Sequence, residues 1–294
     1  MSMPASPPRR PVVVGVDGGP AADRAVEVAV EQAQRTHRPL HILHATPLGL
    51  APWTLDRLQA HEELARRSYE RATEAAPDLE ITFASQVADP ATALVTASHT
   101  ASLVVVGAGT HGQSASVLLG TTAHQVASHA RCPVMVVPGS RKWSTTGPVV
   151  VGVDAAEHSV PAVEFAFAEA STRQAELVPV HTWWWEEPGP FLAGSEWEDE
   201  WIAVAQTQKV LVAEMLAGWQ EKYPDVKVSL TSVRGQAAVV LQEVSQTAQL
   251  LVVGSRGRGG FAGLLLGSVS SRVLHDAKCP TVVAPSLRLT PSLG

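Results

Sequence analysis

Apolar residues fall into short unbroken runs, and the runs come in matched pairs. Val12-Val13-Val14-Gly15-Val16-Asp17 reappears as Val149-Val150-Val151-Gly152-Val153-Asp154. Continuous β-branched runs of this kind suit strands buried on both faces of a parallel sheet. Each is followed by a 3.6-residue apolar period, Ala21 to Gln34 and Ser159 to Ser171, with Pro20 and Ser159 at the helix starts. Second strands are predicted at Leu40–Ala45 and Leu177–Thr182, and second helices at about Leu55–Ala75 and Glu200–Lys222. Third strands span Leu79–Val87 and Val226–Val233, and a helix then leads to fourth strands at Leu103–Val106 and Leu250–Val253. A glycine segment, a helix and a last strand, Val134–Val137 or Thr281–Ala284, close each half. Strand–helix alternation in this order predicts two tandem open-sheet α/β domains, each with a mostly parallel sheet.

The expected boundaries are a disordered lead-in at 1–10, a first domain at 11–138, a linker at 139–147, a second domain at 148–286 and a tail at 287–294. The linker lies within the Pro/Gly/Ser/Thr-containing stretch from Pro138 to Pro148. The two halves are offset by 137 residues at their first strands (Val12 to Val149) but by 147 at the glycine segments (Gly107 to Gly254). The second half therefore carries an insertion between its second strand and second helix. Trp183, Trp184 and Trp185 lie there, with Trp197 and Trp201 nearby. This segment is either an adenine-stacking lid or partner surface, or a lid packed on its own domain.

With 294 residues, 45% apolar and 17% charged, the chain has enough material for two packed cores. A net charge of −6 provides no basic footprint for nucleic acid. No apolar run reaches the roughly 18–20 residues that cross a bilayer, and the first ten residues lack the apolar core of a signal peptide. A cytoplasmic protein with no membrane partner is expected. Cys132 and Cys279, each before a proline at matched positions, read as buried structural thiols. The 11 histidines show no zinc-type spacing, so no metal site is read from protein ligands.

The chemistry concentrates in the glycine segments. Gly254-Ser255-Arg256-Gly257 is followed after nine residues by Gly267-Ser268-Val269-Ser270 at a helix start. Glycines after a parallel strand let the backbone approach a ligand. A helix start presents N–H groups and a favourable dipole to phosphate oxygens, and Arg256 and Arg258 add positive charge. The first half has Gly107-Ala108-Gly109 and Gly120-Thr121-Thr122, but Thr110 replaces Gly257 and Ala123 replaces Ser270. A β-branched residue at a left-handed position costs about 1–2 kcal/mol, so weaker binding is expected in the first half.

The pattern G-x-x-G-(nine residues)-G-[ST], the opening V-G-V-D strand, the Leu43-His44 and Val180-His181 steps and the Cys132-Pro133-Val134 closing strand resemble the universal stress protein family. The likeness runs from about Val12 to Pro285, is closer in the second half, and fits the tandem two-domain members. It implies Rossmann-like domains of the adenine nucleotide α-hydrolase type, each with five parallel strands and helices on both faces. It also implies ATP at the C-terminal ends of the strands, where open α/β sheets bind ligands. By the same resemblance Gly152 and Asp154 border the adenosine, Asp154 near the ribose, and Thr182 meets the adenine edge. Gly254 to Gly260, including Ser255, Arg258 and Gly259, wrap the ribose and phosphates, while Gly267, Ser268, Val269 and Ser270 hold the phosphate tail. The matching first-half positions are Gly15, Asp17, Ala45, Gly107, Ala108, Gly109, Gly120, Thr121 and Thr122. Mg²⁺ would be held by the ATP phosphates and water. The resemblance also suggests pairing of the last strands as an intrachain pseudo-dimer, with a homodimer left open.

Other readings fail on residues. Gly107-Ala108-Gly109-Thr110-His111-Gly112 spells G-x-G-x-x-G, but it follows the fourth strand, and no acid occurs between Gly112 and Asp154. No P-loop, H-x-G-H, S-G-G-x-D or G-x-S-x-G motif is present. No catalytic residue is assigned. The functions expected are an ATP-binding stress or growth regulator with an unknown protein partner, or alternatively a slow ATPase or a nucleotide-independent scaffold.

Overall fold

A computed structural model describes residues 9–47, 54–109, 119–139, 143–154, 156–183, 196–257 and 265–286, without the side chains of 55, 57 and 196–202. The chain divides into two compact units, Met1–Ser140 and Arg141–Gly294. In the first unit the strands are β1 (Val12–Val16), β2 (Leu40–Thr46), β3 (Ile81–Val87), β4 (Leu103–Gly107) and β5 (Val134–Val137). Its helices are α1 (Pro20–Thr36), α2 (Leu55–Ala75), α3 (Pro90–Ala97) and α4 (Thr121–His129). Every pairing is parallel, in the order β3-β2-β1-β4-β5.

The second unit repeats this plan. Its strands are β6 (Val149–Val153), β7 (Leu177–Trp183), β8 (Thr231–Arg234), β9 (Leu250–Gly254) and β10 (Thr281–Ala284), ordered β8-β7-β6-β9-β10. The helices are α5 (Val160–Arg173), α6 (Glu196–Lys222), α7 (Ala237–Val244) and α8 (Ser268–Asp276). In each unit the chain winds outward over the first three strands, then jumps back to lay the fourth beside the first. Right-handed crossovers then put the first two helices on one face and the last two on the other. The strand order reverses between β1 and β4, and between β6 and β9, which leaves a crevice at their C-terminal ends.

The central strands form the core. Val12, Val14, Val104 and Val105, and in the second unit Val149, Val151, Leu250 and Val252, are completely buried. β3 and β8 lie at the edge of each unit's own strand order and are shorter than their sequence suggests. Leu79 is taken up in a turn, its N–H donating to the Ala76 carbonyl at 3.1 Å. Before β8 the strand pairing is broken to a single bridge, Val228 with Leu177.

α1 and α5 both end on a left-handed residue, His37 (φ 50°) and Gln174 (φ 51°). The next N–H reaches back to the Ala33 or Ala170 carbonyl at 2.9 Å. This closure satisfies the last helical carbonyls. Inside the last turn of α5, Glu169 and Arg173 pair at 2.8 Å with side chains only 5% and 10% exposed. Arg173 also donates to Gln249 Oε1 at 3.2 Å, and Gln249 Nε2 donates to the Gly147 carbonyl at 2.5 Å. The first unit solves the same position without charge. Gln32 is buried there, and Ser102 donates to the Pro11 carbonyl at 3.0 Å.

Two predictions follow from this packing. Arg173→Met strands the Glu169 carboxylate in the interior and is expected to cost about 3–5 kcal/mol. Adding Glu169→Gln should recover most of the loss, as read from urea unfolding midpoints. Both cysteines are free and buried, and burial pushes each thiol up to about 12. At pH 8 on the order of one thiol in 10,000 is then the reactive thiolate. A disulfide-exchange reagent should label neither cysteine in the native protein and both after unfolding.

Candidate functional site

The β6–β9 crevice is shaped by backbone. Ser255, just past β9, donates its N–H to the Ala284 carbonyl at 2.8 Å. Its own carbonyl accepts the Gly267 N–H at 2.7 Å and the Ser270 hydroxyl at 3.1 Å. One carbonyl thus pins the start of α8 to the end of β9. Gly267 is the N-cap and supplies no capping side chain. Among the described residues the first-turn N–H groups of α8 therefore have no intrahelical or capping partner, which suits them to an anion.

These elements enclose a cleft of about 480 Å³, within the range of small-molecule sites. Of the residues singled out from the sequence, Gly152, Asp154, Thr182, Gly254, Arg256, Gly257, Gly267, Ser268, Val269 and Ser270 line it. Two hydroxyls have other work. The Ser255 hydroxyl pairs with Ser286, and the Ser270 hydroxyl is spent on the Ser255 and Gly267 carbonyls. Ser255 and Ser270 therefore build the loop, and at Ser270 the backbone is the group left to offer. Arg258, Gly259 and Gly260 lie outside the described residues, as do the side chains of Trp184, Trp185, Trp197 and Trp201.

The sequence reading missed the apolar wall: Val180 of β7, Ala237 and Leu241 of α7, and Leu266. A signal was present in Gly152. A Cβ there would stand 3.0 Å from Leu241, and a glycine inside a strand marks such a close approach. Ser159 stands at the start of α5, as expected. A 3-10 turn, Glu157–Ser159, precedes α5, and Ser159 makes no capping bond to the helix. Its hydroxyl donates instead to Asp154 Oδ1 at 2.5 Å and accepts the Asp154 N–H at 3.3 Å. Asp154 Oδ2 accepts from His158 Nε2 at 2.5 Å.

The first unit differs at each of these points. Asp17 Oδ1 accepts the Gly19 N–H at 2.8 Å, and α1 begins at once with Pro20. Its glycines are packed rather than open. A Cβ on Gly107 would lie 2.6 Å from the Ala21 carbonyl oxygen, one on Gly109 2.9 Å from the Ala21 Cβ, and one on Gly120 2.4 Å from the Gly109 oxygen. At Gly254 and Gly267 the nearest atoms stand at 3.2 and 3.5 Å. Gly15 sits under Leu94 of α3, Ala45 lies on β2 opposite Gln86, and Thr121 and Thr122 open α4 beside the buried Ala108. Thr110, where strain was expected, lies outside the described residues. A separate cavity of about 410 Å³ lies between α2 and β3, lined by residues including Thr46, His61 and Phe83.

The profile of the Universal stress protein family matches residues 8–138 and again 145–285. A universal stress protein of Mycolicibacterium smegmatis is 38% identical over 288 residues, covering 92% of this chain and 96% of its own. The crystal structure of a universal stress protein from Archaeoglobus fulgidus shares the fold at 18% identity, with a TM-score of 0.63 over 94% of this chain and 96% of that one. A universal stress protein crystallised in complex with cAMP aligns with 45% of this chain and 99% of its own, at 28% identity and a TM-score of 0.38.

The glycine geometry makes the halves respond differently to one change. Gly120→Ala drives a Cβ into backbone and is expected to cost about 1–3 kcal/mol, whereas Gly267→Ala should cost less than about 1 kcal/mol. Chemical denaturation of the two variants side by side measures the difference.

Proposed function

The chain belongs to the universal stress protein family, and from that premise we propose that its second unit is an ATP site through which the protein acts as a regulator of stress or growth adaptation. One observation carries the reading: an uncapped helix start and an open glycine backbone meet an apolar wall in a single cleft. The polar end suits phosphates and the apolar end suits a purine. Val180, Ala237 and Leu241 would receive the base, with Thr182 at its edge. Asp154 would accept from the ribose, and the N–H groups of Ser268, Val269 and Ser270 would meet phosphate oxygens, with Arg256 adding charge. Mg²⁺ would arrive on the phosphates.

The chemistry of this arrangement is retention rather than turnover. Asp154 is the carboxylate among the described lining residues, and beside a ribose it serves more simply as a hydrogen-bond acceptor than as a general base. The regulatory step is a difference in affinity between two conformations, which nucleotide then populates unequally.

Titration of the full chain with ATP and Mg²⁺ is expected to give one tight site. Gly257→Asp sets a second carboxylate beside Asp154, since a Cβ at Gly257 stands 3.4 Å from Asp154 Oδ2. It should weaken ATP binding at least about 100-fold, or roughly 2.7 kcal/mol. Unchanged affinity in that variant would exclude this cleft. Phosphate release on the order of 1 s⁻¹ or faster would mark an enzyme instead.

A further inference from the structure

β3 and β8 hold matching places in the two units, yet only β8 is guarded. Ile81 pairs with Leu40 as Val228 pairs with Leu177, and Ser85 with His44 as Ser232 with His181. An exposed strand edge invites pairing with another chain, and short length or charge blunts it. β8 has both, since it covers only Thr231–Arg234 and ends on an arginine, and the ladder before it is broken. β3 has neither, running unbroken over Ile81–Val87 without a charge or a proline. No residue of β3 is fully buried, and among the described residues of the first unit no strand pairs with its outer side.

The hydrogen bonds fix which way the edge groups point. The Leu40 N–H donates to the Glu80 carbonyl at 2.9 Å, and the Ala88 N–H to the Thr46 carbonyl at 3.0 Å. Between those ends a parallel ladder alternates, so Thr82, Ala84 and Gln86 turn their backbone groups toward β2. Those of Ile81, Phe83, Ser85 and Val87 turn outward. An antiparallel second copy centred on Ala84 meets this row in full. Ile81 then faces Val87 and Phe83 faces Ser85, each pair exchanging N–H and carbonyl bonds, while Thr82 faces Gln86 and Ala84 faces its own copy. The acids that flank the strand do not meet in this register, because Glu80 lies opposite Ala88. Apolar surface gathers at the same edge. Among the described residues of the first unit, the exposed large apolar side chains are Leu58 at 42% and Val87 at 43%, and both line the cavity between α2 and β3.

We propose that this edge is a dimer interface, in which β3 of a second copy pairs antiparallel with β3 about a two-fold axis at Ala84. A two-fold contact needs a surface that complements itself. An uncharged strand with an apolar residue at each end, Ile81 and Val87, is such a surface. Like charges directly opposite would oppose pairing, and β3 brings none together. The contact uses no residue of the nucleotide cleft.

Sedimentation velocity of the full chain between about 1 and 100 μM is expected to show a monomer–dimer equilibrium. Ser85→Pro removes an outward N–H and spares the β2 ladder, since an edge strand tolerates proline where that group faces solvent. It should weaken dimerisation at least about 100-fold, because the ring obstructs the partner and the loss occurs on both sides of the axis. Ala84→Cys tests the register on an otherwise unaltered edge. Facing residues of an antiparallel pair have Cα atoms about 4.5–5.5 Å apart, within disulfide reach. Mild oxidation should therefore cross-link Ala84→Cys into a dimer on non-reducing electrophoresis, while Thr82→Cys, facing Gln86, should stay uncross-linked. Cys132 and Cys279 are buried and add no background. A chain that stays monomeric throughout overturns the proposal, and so does a dimer that survives in Ser85→Pro. Cross-linking no better at Ala84→Cys than at Thr82→Cys overturns it as well, and that comparison decides alone if the proline variant fails to fold.

Discussion

A central strand buried on both faces is filled almost wholly by apolar side chains, and this constraint organises each unit. Val12, Val14, Val149 and Val151 are fully enclosed, so chemistry is excluded from the body of the sheet. It is displaced to the strand ends, where backbone groups run out of strand partners. At the end of β9 that shortage is met by a single carbonyl, Ser255 O, which takes both the Gly267 N–H and the Ser270 hydroxyl. The outcome is a helix start held at a fixed distance from a strand end, with the cleft between them. The site is a by-product of finishing the sheet.

How far this was readable from the sequence depended on whether a feature is local. The strands, their order along the chain and the duplication follow from runs such as Val149 to Val153, because burial on both faces forces an apolar residue at every position. The glycine loop was legible for a similar reason, since close backbone approach excludes side chains. The place of Ser159 at a helix start was legible, but the partner of its hydroxyl was not, because a serine before a helix has two uses and the choice turns on where Asp154 points. Leu241 escaped notice because nothing in its own helix marks it. Its role is set by Gly152, far away in sequence and 3.0 Å away in space at the Cβ position. Long-range pairs of this kind are invisible to any window that slides along the chain.

The two units also show that motif and site are separable. Both keep the glycines, yet the glycines serve opposite ends. In the first unit they let Ala21 of α1 press onto the end of β4, with Cβ positions at 2.6–2.9 Å from it. At Gly254, Gly257 and Gly267 of the second they leave space, and the neighbours stand back at 3.2 Å or more. A glycine's missing side chain can be filled by protein or left for a ligand, and the residue alone does not say which.

The difference traces to where the first helix begins. α1 starts at Pro20, directly after the Asp17 turn, which brings Ala21 under Gly107 and Gly109. The matching stretch of the second unit is a 3-10 turn, and α5 starts only at Val160. Proline at the first helical position has its φ preset and loses no hydrogen bond, so it favours the early start. Glu157 holds the matching position in the second unit and carries no such bias. The delayed start places His158 and Ser159 on the turn rather than in the helix, where both can reach back to Asp154. One early proline sets Ala21 against the glycines at the end of β4, where the second unit has a 3-10 turn, a histidine and a serine.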